Sequence, residues 1–153
     1  MGAVLAGLAL LAGCGGDPAP LVDEDLDGPL EALPACTEPP VAVDEDVQGL
    51  IAPDGTVVTS ANEQGPLVHV TGYAPMTPVQ FERAYAELDG IEVLLTENEV
   101  YEAELLVSDG THRNFVKASA TCSEGSQILF VVAPEVDAEG LPLPQQATAP
   151  PTP

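Results

Sequence analysis

Of the 153 residues, 25 are Asp or Glu and only three are Lys or Arg, which sets the formal charge at −22. That balance argues against nucleic-acid binding, where affinity rests on cations meeting phosphates, and against electrostatic docking to anionic lipid. Charged partners are expected to be basic proteins or metal cations, and the plainer role of the charge is to keep a tethered domain soluble and off the membrane.

The chain opens on an apolar run, residues 3–12, followed by small residues and a cysteine. A membrane-spanning helix needs ~20 apolar residues, so the run falls well short and fits the h-region of an export signal. A buried N-terminal helix would need polar spacing to define a face, and the run has none. Only Met1 and Gly2 precede it; the basic residues usual there are missing, and the true start is expected upstream. The myristoylation pattern that Met1-Gly2 suggests wants Ser or Thr at position 6, where Ala6 stands.

The tetrapeptide Leu11-Ala12-Gly13-Cys14 resembles the lipobox of bacterial lipoproteins. The resemblance implies that residues 1–13 are a signal peptide and that Cys14 becomes the first mature residue, carrying a diacyl or triacyl group. It also implies an address: the extracytoplasmic face of the cell envelope, with the acyl anchor in the membrane. Each buried methylene is worth ~0.8 kcal/mol, so several chains hold firmly where one binds reversibly. Gly15, second in the mature chain, is not the aspartate that retains lipoproteins at the inner membrane of enteric bacteria. In the oxidising compartment so implied, Cys36 and Cys122 are the even pair left over and are expected to form a disulfide. It would close most of the domain into one loop, worth about 4–5 kcal/mol in the chain-entropy model.

Residues 14–40 read as an acidic tether rich in Pro and Gly, with no apolar period. Within it lies Asp23-Glu24-Asp25-Leu26-Asp27-Gly28. Asp23, Asp25 and Asp27 fall at positions 1, 3 and 5 of a calcium loop, with glycine at 6 and Glu31 at 9. Position 12, which should offer a bidentate carboxylate, is Pro34, so the stretch is no EF-hand. A solvated acidic linker is the preferred reading, weak calcium binding the alternative, and no other cofactor is expected.

From Val41 to Pro134 the texture is that of a globular domain. Residues 46–52 suggest a strand, Pro53-Asp54-Gly55 a turn and residues 56–60 the partner strand. A break at 62–66 precedes strand-like residues 67–73, which include His69. Thr77-Pro78-Val79-Gln80 then supplies N-cap, proline at N1 and glutamine at N3, a capping box, with Met76 and Phe81 as a hydrophobic staple. Phe81, Ala84, Tyr85 and Leu88 make one apolar face, and Gly90 is expected to end the helix at C′. Its polar side carries Glu82, Arg83 and Glu87. With residues 91–96 as a strand, 67–95 has the outline of a strand-helix-strand unit, right-handed if its strands are parallel neighbours.

Residues 100–120 are expected to form a hairpin around the two-residue loop Asp109-Gly110. That register sets Glu102 opposite Lys117, and Tyr101, Ala103, Leu105 and Val107 facing Ala118, Val116, Asn114 and His112. A helix from Glu97 competes, because Thr96-Glu97-Asn98-Glu99 is also a capping box; the matched charges and the Asp-Gly turn favour the hairpin. A turn at 123–126 leads to a covered strand at 127–133. The tail, 135–153, returns to proline, alanine and acid, and from Gly140 is expected to be disordered. The fold class is therefore α+β: one small domain, 41–134, mainly antiparallel sheet, with a single covering helix at about 78–88.

No G-x-S-x-G, Walker or dinucleotide glycine pattern occurs, and no C-x-x-C pair supports zinc or thioredoxin-type chemistry. Alternating Glu97, Glu99, Glu102 and Glu104 read as a wet strand face rather than an acid/base pair. The helix at 77–88, then Gly90-Ile91-Glu92-Val93, Val100-Tyr101-Glu102-Ala103 and Ser108-Asp109-Gly110-Thr111, is similar to the helix-plus-meander layout of PepSY-type envelope domains over some 45 residues. That resemblance rests on turn positions and implies a binding or protease-inhibitory role. The expected function is a non-catalytic, lipid-anchored binding or structural module acting on an envelope or extracellular protein. An inhibitor or regulator of an envelope enzyme comes second, and a hydrolase using His69 or His112 with a carboxylate third.

Overall fold

The computed structural model describes residues 28–44 and 46–144. Six strands, β1 (Val57–Gln64), β2 (Leu67–Ala74), β3 (Glu92–Glu99), β4 (Glu102–Ser108), β5 (His112–Cys122) and β6 (Gly125–Pro134), form one sheet in the order β1-β2-β6-β5-β4-β3. Every neighbouring pair is antiparallel. One helix, α1 (Pro78–Ala86), joins β2 to β3. The molecule is a small, mostly sheet domain with a single helix.

The capping box forms as its chemistry requires. The Gln80 N–H donates to Thr77 Oγ1 at 3.3 Å and the Thr77 N–H donates to Gln80 Oε1 at 3.0 Å. Phe81 and Tyr85, four residues apart, lie on one face with rings edge-to-face at 5.5 Å and no exposure. The helix ends earlier than Gly90 promises: Glu87 is its C-cap, and Gly90, with φ +75°, serves the following turn that delivers the chain to β3. Thr77→Ala is expected to cost about 1 kcal/mol, read as a fall in thermal midpoint of several degrees.

The expected strand-helix-strand neighbours are not neighbours. Between β2 and β3 stand β6, β5 and β4, because β3 to β6 fold back as a meander whose last strand takes the place beside β2. The apolar run in β6 explains this choice, since a central strand is covered on both faces. Ile128, Phe130 and Val132 join Val70, Leu105, Val116, Phe81 and Tyr85 in the main core, on the helix-bearing face. Val131 and Ala133 face the other way, with Leu106, Phe115 and Leu141.

Residues 46–52 are not a strand. Their backbone groups are taken by side chains: Asn114 Oδ1 accepts from the Ile51 N–H at 2.9 Å, Asn114 Nδ2 donates to Gly49 O at 3.0 Å, and the Tyr85 hydroxyl donates to Ile51 O at 2.8 Å. The partner of β2 is instead β1, which runs through the expected break as far as Gln64 and turns at Gly65-Pro66.

The 100–120 hairpin exists, with its register displaced by two. Ser108 pairs with Arg113 and Glu104, not Glu102, lies opposite Lys117. Asp109 causes the displacement. Its Oδ1 accepts from the Thr111 N–H, the Thr111 hydroxyl and the His112 N–H, each at 2.7 Å, which moves the loop to Gly110-Thr111 with Gly110 at φ +84°. A slip of two preserves the face of every strand side chain, so Ala103, Leu105 and Val107 still share a face with Val116 and Asn114, whereas Tyr101 falls in the turn and is half-exposed. The competing helix at Glu97 gives way to a tight turn at Val100-Tyr101, with Glu99 paired to Glu102.

Both ends of the expected domain extend further. Leu30, assigned to the tether, is buried in a short 3₁₀ turn at Leu30–Ala32, and the Ser123 N–H donates to Pro34 O at 3.1 Å. Residues 135–144, assigned to the tail, hold a second 3₁₀ segment (Glu135–Gly140) and set Leu141 against the second face of the sheet. An apolar residue among prolines and carboxylates finds cover once the sheet exists. Cys36 and Cys122 form a disulfide, Cα–Cα 5.0 Å, that ties the 28–40 segment to the β5–β6 turn.

Candidate functional site

The helix lies over β3, β4 and β5, leaving the β1-β2-β6 end of the same face to other cover. There the sheet and the 46–48 segment enclose an open groove of about 640 Å³. Ala61, Val68 and Val132, from three adjacent strands, line it together with the acidic residues Asp46 and Glu63 and with His112. A methyl group on Gly49 would lie 2.3 Å from His112 Cδ2, so that glycine lets the 46–52 loop rest on the imidazole. Thr111 Oγ1 stands 3.0 Å from His112 Nδ1, and Asp109 Oδ2 stands at 3.8 Å. Burial works to raise the Asp109 carboxyl, but the donors of His112 and Thr111 and the nearby imidazole hold it below the usual carboxylate range.

Among the described residues, no Lys or Arg lines the groove. Arg113 is engaged by Glu135, with Nε donating to Oε2 at 2.9 Å, and Lys117 by Glu102 and Glu104.

A second feature occupies the other face. Glu97 pairs with Glu104 and Glu99 with Glu102, two like-charged pairs directly opposite, around a pocket of about 240 Å³. One Glu97 oxygen is shut away from solvent and has no hydrogen-bond partner among the described residues. Like charges directly opposite destabilise a ladder, so Glu97→Thr is expected to raise stability by about 0.5–1 kcal/mol in urea denaturation. Lys117 offsets the repulsion by contacting Glu102 and, at 3.1 Å, the buried Glu104. The hydrogen bond that Lys117 donates to Glu102, helped by the one to Glu104, raises the ammonium above its ordinary lysine value although burial opposes it. A raised value means that this stabilisation is complete below the ordinary lysine range and is lost as pH climbs through the raised one. Lys117→Met should therefore cost about 1 kcal/mol at pH 7, discounted for partial exposure, and its urea midpoint should fall less on raising the pH through the lysine range than that of the unaltered chain.

His69 and His112 do not meet. Strand alternation puts His112 with Asn114 and Val116 on the helix-bearing face, while His69 lies between Val68 and Val70 and points to the opposite one. The two histidines therefore share no site, and His112 stands instead beside the Asp109 carboxylate. Among the described residues no group of three His, Cys, Asp or Glu is placed to hold a metal ion, and no helix is long and apolar enough to cross a membrane. Cys14, Asp23, Asp25 and Asp27 lie outside the described residues.

Sequence reasoning missed Asp46, Glu63 and the clamp role of Asn114. Asn114 carried a readable signal, an amide between His112-Arg113 and Phe115-Val116 in a strand, since a buried amide must find partners. The carboxylates carried none, because they meet only through the fold. Comparison with known proteins adds no relative: no protein-family model, no curated protein and no solved structure matches this chain.

Proposed function

We propose that the protein is a lipid-anchored, extracytoplasmic binding module of the bacterial cell envelope that acts on a protein partner without catalysing a reaction. The observation that carries this reading is Leu11-Ala12-Gly13-Cys14 at the end of a short apolar run. The Cys36–Cys122 disulfide supports it, because such bonds persist in oxidising compartments outside the cytosol. Residues 14–27 then act as spacer between membrane and domain, and the strongly negative charge keeps the domain clear of anionic headgroups. Cell fractionation tests the proposal. The native protein should sediment with membranes and leave them with detergent but not with high salt, and Cys14→Ala should appear unanchored. Release of the native protein by salt alone would overturn it.

A second reading, inhibition or regulation of an envelope enzyme such as a protease, is supported by the succession of α1 and the β3–β6 meander, the layout that suggested a PepSY-type domain. Purified protein should then slow a secreted protease of the same envelope; unchanged protease rates would remove the idea.

A further inference from the structure

The two edges of the sheet are treated differently. β3 is guarded: it carries a bulge between Val93 and Leu95, three carboxylates, and side-chain bonds from Thr96 and Asn98 to Glu82 of the helix. β1 has its bulge near its start, between Val58 and Ser60, and runs in regular register from Ser60 to Gln64 with neither Lys nor Pro in it. Among the described residues, its outer side receives one backbone bond, from the Val43 N–H to Val58 O at 2.9 Å. With the ladder closing at Gln64–Leu67, Ala61 and Glu63 turn their N–H and C=O groups outward. The same two residues line the groove, with Val68, the partner of Glu63 in the ladder, and with Asp46.

We propose that β1 is a docking edge for an extended, Lys- or Arg-bearing segment of a partner protein, which adds as a further antiparallel or parallel strand and lays its cationic side chains in the adjoining groove. The backbone ladder would hold any extended peptide; the groove selects the sequence. A lysine or arginine stem suits the apolar wall of Ala61, Val68 and Val132, and its charged head suits Asp46 and Glu63. Residues 1–27 and 145–153 are not the occupant, because they hold no Lys or Arg; all three basic residues of the sequence, Arg83, Arg113 and Lys117, belong to the folded part. A second copy pairing edge to edge is opposed by a charge of −22 on each. This inference names the partner class for the binding role proposed above and rests on that role for its biological setting.

The test uses the full chain with its disulfide formed and a labelled eight-residue peptide alternating Lys with Val. Binding by fluorescence anisotropy should be salt-dependent, with backbone amide shifts in NMR concentrated at residues 59–64. Ala61→Pro, a substitution tolerated at an outward-facing edge position, should weaken binding about tenfold or more, and Asp46→Asn with Glu63→Gln should weaken it about tenfold and flatten the salt dependence. The same peptide N-methylated at alternate residues should not bind. Equal binding of the N-methylated peptide, or full binding by an Ala61→Pro protein whose circular dichroism is unchanged, would overturn the proposal in favour of bulk charge attraction. Because the assay needs no membrane, its failure leaves the lipid anchor standing, and loss of the anchor leaves the docking edge standing.

Discussion

Replacing Cys36 and Cys122 together by serine is expected to lower stability by about 4–5 kcal/mol, the largest effect of any change considered. The bond joins residues 86 apart in sequence, so it removes a long loop's worth of freedom from the unfolded chain. Domains of this kind have in total about 5–15 kcal/mol, so the variant should lie near its unfolding threshold at room temperature. Urea denaturation reads the loss, and the slope m should rise because an uncrosslinked chain exposes more surface. The contacts of the 28–40 segment are few: Leu30 is buried, Pro34 O accepts from Ser123, and Tyr101 Oη donates to Pro29 O at 3.4 Å. A loss below about 1 kcal/mol would show that those contacts alone hold the segment and that the crosslink adds little.

Asn114→Leu is expected to cost about 2–4 kcal/mol although it replaces a fully buried polar side chain with an apolar one. The amide satisfies the Ile51 N–H and Gly49 O at once, and each loses its partner when the amide goes. Tyr85→Phe should cost about 1 kcal/mol, since it removes one hydroxyl bond to Ile51 O and leaves packing intact. Burial pushes the Tyr85 phenol well above its ordinary range, which favours the neutral hydroxyl as donor to Ile51 O. Hydrogen exchange at the Ile51 amide separates the two variants: it should become fast in Asn114→Leu and stay protected in Tyr85→Phe. The clamp also sets the wall of the groove, because the segment that it holds, 46–52, supplies Asp46. Asn114→Leu should therefore weaken binding of the basic peptide, whereas Thr77→Ala, at the far end of the helix-bearing face, should leave it unchanged.

The parts of this fold that local chemistry dictates were legible. Thr77 and Gln80 specify the helix start without help from the rest of the chain, and both reciprocal bonds form. The Asp109-Gly110 turn specifies a hairpin, and alternation groups Ala103, Leu105 and Val107 on the face that the core takes. Its register was off by two because three donors converge on one Asp109 oxygen, a detail that the turn dipeptide does not encode. What no local pattern announces is long-range: Asn114 taking over the backbone at 49 and 51, β6 inserting beside β2, and Leu30 and Leu141 finding cover at the margins. Each is decided by a partner more than 50 residues away in chain or by a surface that exists only after folding. The groove belongs to that class, since Asp46, Glu63 and His112 share no motif and meet through three separate elements.

Intact mass measurement of the protein purified from its native membrane tests the anchor most directly. The mature chain should begin at Cys14, be heavier than its sequence by two or three acyl groups with their glyceryl linker, and on mild alkaline hydrolysis lose the two ester-linked acyl groups while keeping the thioether-linked glyceryl. A mass that includes residues 1–13, or a Cys14 amino terminus free of lipid, would contradict it.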